Sequence, residues 1–343
     1  MNAATAPRLV GERLLLIDPV EGRWSHCKVA DLPSLLGPRD LLVVNDAATM
    51  PASLRVANCD VEVRLVRRLG NDAEWTAVLF GAGDFRTPTE HRPDPPRLTL
   101  GVRLDFGAGF VGEITRVDRD QPRLFDLRFN LSGAALWAAA YRQARPVQYA
   151  YLRRELPLWS FQNTYASRPW ALEMPSAGHC LTWSLLFELR VRGVGLARIT
   201  HAAGISSTGS AELDRMLPLP ERYEIDEDAV RAIAATRAQG GRVIAVGTTA
   251  VRALESCFAE FGKVVSGERE ARLVLGPGFR PRVVNGILSG MHEPSTSHFA
   301  LLEAFAPRAL LDDALGAAER AGYLQHEFGD ATLVLASAPP RNR

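Results

Sequence analysis

From Met174 onward the chain keeps one rhythm: a short apolar run, a polar residue at its end, then a stretch with helical spacing. Thr182 can cap a helix in which Leu185, Leu186 and Leu189 keep that spacing until Gly193 stops it. GLARIT then reads as a strand ending at His201, and a helix from about Asp226 to Ala238 closes on Gly240 and Gly241. RVIAVG runs into Thr248 and Thr249, which can cap the next helix, RVVNGIL leads to GMHEPSTSH, and ATLVL is the last strand. Strands alternating with helices leave few solutions, and the expected main domain is a barrel-like or mainly parallel α/β sheet. The upstream run LLVVN, between Asp40 and Asp46, fits the same sheet because a continuous apolar strand needs cover on both faces.

Between about Leu54 and Asn130 the rhythm changes to a period of two. Val61, Val63 and Leu65 alternate with Glu62 and Arg64, and further short strands are split by Gly and Pro. That pattern predicts an inserted all-β domain over 55–145, with 1–54 plus 146–343 as the α/β domain. The length of 343 residues is enough for two cores. The Pro-rich loop Thr87 to Arg97 is expected to be an exposed connection.

Forty basic residues against 39 acidic ones give a net charge of +1, so no overall field draws the chain to a polyanion, and neither DNA nor a membrane is an expected partner. Four cysteines, Cys27, Cys59, Cys180 and Cys257, are widely spaced, without a CxxC pair. With no leader-like start and no long apolar run, the expected location is the cytoplasm.

Ligands in α/β folds sit beyond the carboxyl ends of the strands, where helix N-termini present free N–H groups. That rule gathers Asn45, Asp46, His201, Thr248, Thr249 and His292 from four strand ends. The stretch EMPSAGHCLTW enters its helix in the same way and adds Ser176, Gly178, His179 and Thr182. Gly247 and Arg252 join from GTTAVRALES, and Ser295 and Thr296 from GMHEPSTSH. Each has a plainer alternative: a strand-end His is often structural, and GTTAVRALES is also simply a well-capped helix. No metal site is expected, because His292, Glu293 and His298 form HExxxxH, not HExxH, and Pro294 breaks the helix between them. Neither a P-loop nor a GxGxxG turn is present. Pattern alone reaches an α/β enzyme with a cleft lined by His and Thr.

The stretches DLPSLLGPRDLLVVNDAATMPASL, MPSAGHCLTW, THAAGISSTG, GGRVIAVGTTAVRALES, GPGFRPRVVNGILSGMHEPSTSH and GYLQHEFGDATLVL occur in an order that resembles the S-adenosylmethionine:tRNA ribosyltransferase-isomerase family of queuosine biosynthesis. The resemblance covers nearly the whole chain. It implies an α/β barrel-like domain with an inserted β-barrel. It also implies transfer and isomerisation of the ribosyl part of S-adenosylmethionine onto a 7-aminomethyl-7-deazaguanine base in tRNA, releasing adenine and methionine. S-adenosylmethionine is then a substrate, with no cofactor, and tRNA the partner. By the matched stretches, His201 and His292 are the acid–base candidates, and Thr248 and Thr249 hold a polar or anionic part of the substrate.

The chain departs from the family pattern in places. Ala48 stands where the family has Arg, Cys180 where it has His, with His179 one position away, and the family's N-terminal DYxLPxxxIAxxP segment has no counterpart before Arg8. These changes keep open a divergent enzyme that uses a small nucleoside or another S-adenosylmethionine-derived substrate without tRNA. The best local RNA-binding patch in the sequence is Arg145, Arg153, Arg154 and Arg168, interleaved with Tyr149, Tyr151, Trp159 and Phe161.

Overall fold

A computed structural model describes residues 1–8, 12–294 and 296–336. Nine strands form the main sheet, in the order Gly267–Ala271, Glu221–Ile225, Gly195–His201, Leu41–Asn45, Val243–Val246, Gly286–Gly290, Ala331–Leu335, Arg13–Asp18 and Arg23–Lys28. The middle four are parallel to one another, and antiparallel strands extend the sheet on both sides. Half of the neighbour pairings are therefore antiparallel, and among the described residues nothing joins the edge strands Gly267–Ala271 and Arg23–Lys28. The expected barrel-like or mainly parallel domain is instead an open mixed sheet whose parallel part is its centre.

Side-chain alternation divides the centre between two cores. Leu41, Val43, Val243 and Ala245 point to the face covered by helices Glu227–Ala238, Thr248–Phe261 and Arg308–Arg320. Leu42, Val44, Ile244 and Val246 point to the other face, under helix Trp183–Val191. All five residues of Leu41–Asn45 are buried, as expected for a strand covered on both sides.

A second, antiparallel sheet runs Ser53–Arg55, Glu62–Arg68, Glu74–Phe80, Leu124–Phe129, Val111–Val117 and Arg103–Asp105. It curls into a half-barrel around its own core, which includes Val63, Leu79, Phe110 and Phe125 and is closed by helix Gly133–Gln143 through Leu136, Ala139 and Ala140. One bond, from the Ala57 N–H to the Asp105 carbonyl (2.7 Å), reaches across its open side.

The loop Thr87 to Arg97 is more than an exposed connection. Arg92 turns inward, is 5% exposed, and donates to Glu62 and to the carbonyls of Gly81 and Gly83. Burial would raise the Glu62 pKa, but Arg64 and Arg92 overcome it and hold the carboxyl at about 2. Proline spacing marks where a chain turns; it says nothing about which arginine finds a carboxylate. Among the described residues no helix is long and apolar enough to cross a membrane.

Candidate functional site

A cavity of about 470 Å³ opens at the carboxyl ends of the central parallel strands. Its walls are the turn after Arg168–Ala171, the turn after Gly195–His201, the start of helix Thr248–Phe261, the segment after Gly286–Gly290, and the turn before Ala331–Leu335. The start of helix Thr248–Phe261 supplies three of the lining residues, Thr248, Thr249 and Arg252. Gly247 has φ +89 and serves as N-cap with no side-chain bond, so the first N–H groups of the helix face the cavity at its positive end. Along one face of this helix Thr248 meets the cavity, and Arg252 pairs with Glu221 one turn later. Glu255 then accepts the N–H groups of Arg282, Val283 and Val284 at 2.9, 2.9 and 3.0 Å. That spacing gives the run GTTAVRALES a physical reason.

Of the residues singled out in the sequence, Ser176, Gly247, Thr248, Thr249, Arg252, His292 and Thr296 line this cavity. Ser295 lies outside the described residues. Thr296 also caps helix Ser297–Leu302 through the Phe299 N–H, 3.2 Å away.

The others are placed behind the wall. Asn45, 1% exposed, bonds through its side chain to both the N–H and the carbonyl of His201, to Thr249 Oγ1 and to the Ala47 N–H, tying adjacent strand ends together. Asp46 accepts from Thr200 Oγ1 at 2.6 Å and Ser167 Oγ at 2.7 Å. Thr182 caps its helix through the Leu185 N–H, and His179 packs edge-on against Phe328. His201 is wholly buried, with no hydrogen bond at either ring nitrogen among the described residues and Nε2 3.5 Å from Glu221. Burial first, and then the Arg252 charge, push its pKa well below the usual value, so it stays neutral.

Gly178 is required by the protein itself, not by a ligand. A Cβ there would lie 1.7 Å from Tyr165 Oη and 2.9 Å from Asn163 Nδ2. Gly178→Ala is expected to lower the unfolding free energy by about 2–3 kcal/mol, as overpacking in a tight interior does. Urea unfolding of G178A beside G178A/Y165F checks the cause, because removing the hydroxyl should restore part of the loss.

Among the described residues the cavity is rich in carboxyl groups that the sequence reading did not select, Glu173, Asp214, Glu221, Glu293 and Glu327, against the single cation Arg252, which Glu221 already pairs. Tyr149 donates to Glu173, which also accepts the Ser206 N–H at 2.9 Å. Glu327 differs from these, since among the described residues its buried Oε2 has no partner and burial raises its pKa to about 7. Close to it in sequence, Gln325 leaves Oε1 unpartnered while its Nε2 donates to Glu293.

Three histidines share the cavity with them. His292 bonds through Nε2 to Ser289 Oγ at 2.7 Å and stacks on His298 with ring centres 5.1 Å apart. Burial first, then the neighbouring His298 and His326, push the His292 pKa down to about 3. His326, at φ +68, stacks on Tyr151 at 4.1 Å. The site therefore combines a neutral imidazole with a carboxyl kept protonated to near pH 7, the opposed shifts that an acid–base pair needs.

These shifts set a stability trend. His201, His292 and His298 all have folded pKa values below the unfolded value of 6.5, so as pH falls below 6.5 the unfolded chain takes up protons that the folded chain refuses. Unfolding free energy is lost in that direction, for His292 down to about pH 3. Glu327, raised from 4.5 to about 7, acts oppositely: its stabilising share is full below pH 4.5 and is lost as pH rises through about 7. His179 and His326 are lowered in the same way and Glu12 and Glu173 raised like Glu327, so five histidines stand against three carboxyls and urea midpoints are expected to fall from pH 7 to pH 5. His292→Gln should blunt the slope, and a flat profile would contradict these shifts.

The sequence model of a family described as queuosine biosynthesis protein matches residues 3–334. An S-adenosylmethionine:tRNA ribosyltransferase-isomerase of Thermus thermophilus is 34% identical over 322 residues, covering 91% of this chain and 89% of that protein. One from Gloeobacter violaceus is 33% identical over 337 residues, covering 95% and 90%. The crystal structure of an S-adenosylmethionine tRNA ribosyltransferase from Thermotoga maritima shares the fold, with a TM-score of 0.53, 22% identity, and coverage of 97% of this chain and 96% of that one.

Proposed function

Because this chain belongs to the queuosine biosynthesis protein family, we propose that it is an S-adenosylmethionine:tRNA ribosyltransferase-isomerase. It moves the ribosyl moiety of S-adenosylmethionine onto the 7-aminomethyl-7-deazaguanine base of a tRNA. The observation that carries this reading is the cavity itself. Among the described residues five carboxyl side chains face it and its one cation is already paired, an arrangement that favours a cationic sulfonium over an anionic donor.

In this reading the exposed N–H groups at Thr248 and Thr249 receive the donor's carboxylate. The sulfonium acidifies the ribose carbon beside it, and His292, held neutral and oriented by Ser289, accepts the proton from that carbon. Glu327 gives its proton to the departing adenine. His201 and Asn45 are positioning residues that hold the strand ends under Thr249.

The test is to incubate purified protein with S-adenosylmethionine and tRNA carrying the deazaguanine base, and to follow adenine by chromatography. Adenine is expected only with that tRNA. Adenine release that does not depend on the tRNA would favour a small-nucleoside acceptor. No release from folded protein would overturn the proposed reaction.

A further inference from the structure

A second cavity, of about 400 Å³, lies between the half-barrel and the edge of the main sheet. Three tryptophans, Trp75, Trp137 and Trp170, reach it from the half-barrel, from helix Gly133–Gln143 and from strand Arg168–Ala171. Arg222 lies over the Trp170 ring at 3.6 Å and is ion-paired with Glu268. Arg68 stands in the same wall and, among the described residues, has no carboxylate within ion-pair distance. Burial first, and then the Arg222 charge, lower its pKa against the opposing pull of Glu268 and Asp72. Glu221 lines both cavities, so the two lie back to back with its side chain in the shared wall.

Aromatic faces beside an unpaired guanidinium suit a flat, anionic partner: the faces stack a base and the cation meets a phosphate. The Arg and Tyr patch read from the sequence is less suited to this. Arg145 is paired with Glu155 and Arg168 with Glu224, Tyr149 turns inward to Glu173, and only Arg153 and Arg154 of its four arginines are exposed without such a pair. We propose that the second cavity is a nucleotide subsite for the acceptor RNA, in which an unpaired base stacks on Trp137, with the buried Trp75 and the Arg222-covered Trp170 as the wall around it, while its phosphate contacts Arg68. This rests on tRNA being the acceptor. A neighbour of the modified nucleotide would then be held on the far side of Glu221 from the donor.

The experiment measures the dissociation constant of the whole protein for an unmodified tRNA transcript, with S-adenosylmethionine binding followed separately by calorimetry. Trp137→Ala should weaken RNA binding about ten-fold, and Trp137→Phe should restore most of it. Arg68→Glu should weaken RNA binding and lower the slope of log affinity against log salt by about one. Neither change should move S-adenosylmethionine affinity, which also reports that the variants are folded. If the parent binds the transcript and all three variants bind it equally well, the second cavity is not a nucleotide subsite. If the parent itself does not bind it, the acceptor reading falls and this proposal falls with it.

Discussion

Glu327→Gln lowers kcat by roughly 10²–10³-fold while S-adenosylmethionine affinity stays within about three-fold of the parent. The substitution keeps shape and removes only the ability to give up a proton. Glu327 has the right properties for that role: it lines the cavity, its Oε2 is buried without a partner, and burial holds its pKa at about 7. A group that must be protonated to act loses activity as pH rises through its pKa. The parent rate is therefore expected to fall with an apparent pKa near 7 on the alkaline side, and this limb should be absent from the residual rate of E327Q. Folding can be separated from chemistry, because a glutamine has no charge to desolvate. E327Q should be at least as resistant to urea at pH 8 as the parent, since the destabilising ionisation is gone. A stable E327Q with parental kcat would remove Glu327 from the proton-transfer role.

Much of this site was legible as place but not as role. LLVVN marked a central buried strand because an unbroken apolar run fits only a sheet covered on both faces, while its polar end, Asn45 and Asp46, lies behind the cavity wall. What Asn45 does there depends on the neighbouring strand: its amide bonds to both the N–H and the carbonyl of His201, 156 positions along the chain. Gly178 signalled a close approach, but the approaching group is Tyr165, and no local pattern names a partner from another turn. GTTAVRALES was readable as a capped helix; its Arg252 and Glu255 needed the three-dimensional placement of Glu221 and the 282–284 loop to explain them. Glu327 and Glu221 were passed over because carboxylates in mixed polar segments look like solvated surface. Their burial comes from the antiparallel strands that flank the parallel centre, and strand alternation alone did not foresee those flanks.

The Glu221 and Arg252 pair carries the largest expected effect on stability. Arg252, 5% exposed, donates to the carbonyls of Leu273, Leu219 and Ala271, and its charge is balanced by Glu221, which also accepts the Gly204 N–H at 2.6 Å. Burial already lowers the Arg252 pKa to about 10, a sign that its charge is costly to hold there. Glu221→Ala removes the balance and leaves the cation buried, so the unfolding free energy should drop by about 3–5 kcal/mol. Replacing both partners, as E221A/R252M, removes the stranded charge as well and should recover more than half of that loss. The difference between single and double replacements in urea unfolding measures the coupling, and an E221A loss below about 1 kcal/mol would show that the carbonyls alone satisfy Arg252. Even where stability recovers, function should not. Glu221 stands in the wall shared by both cavities, and Arg252 follows the helix start one turn from Thr248. The double variant is thus expected to fold, yet to bind both S-adenosylmethionine and tRNA more weakly, a combination that a purely structural ion pair would not produce.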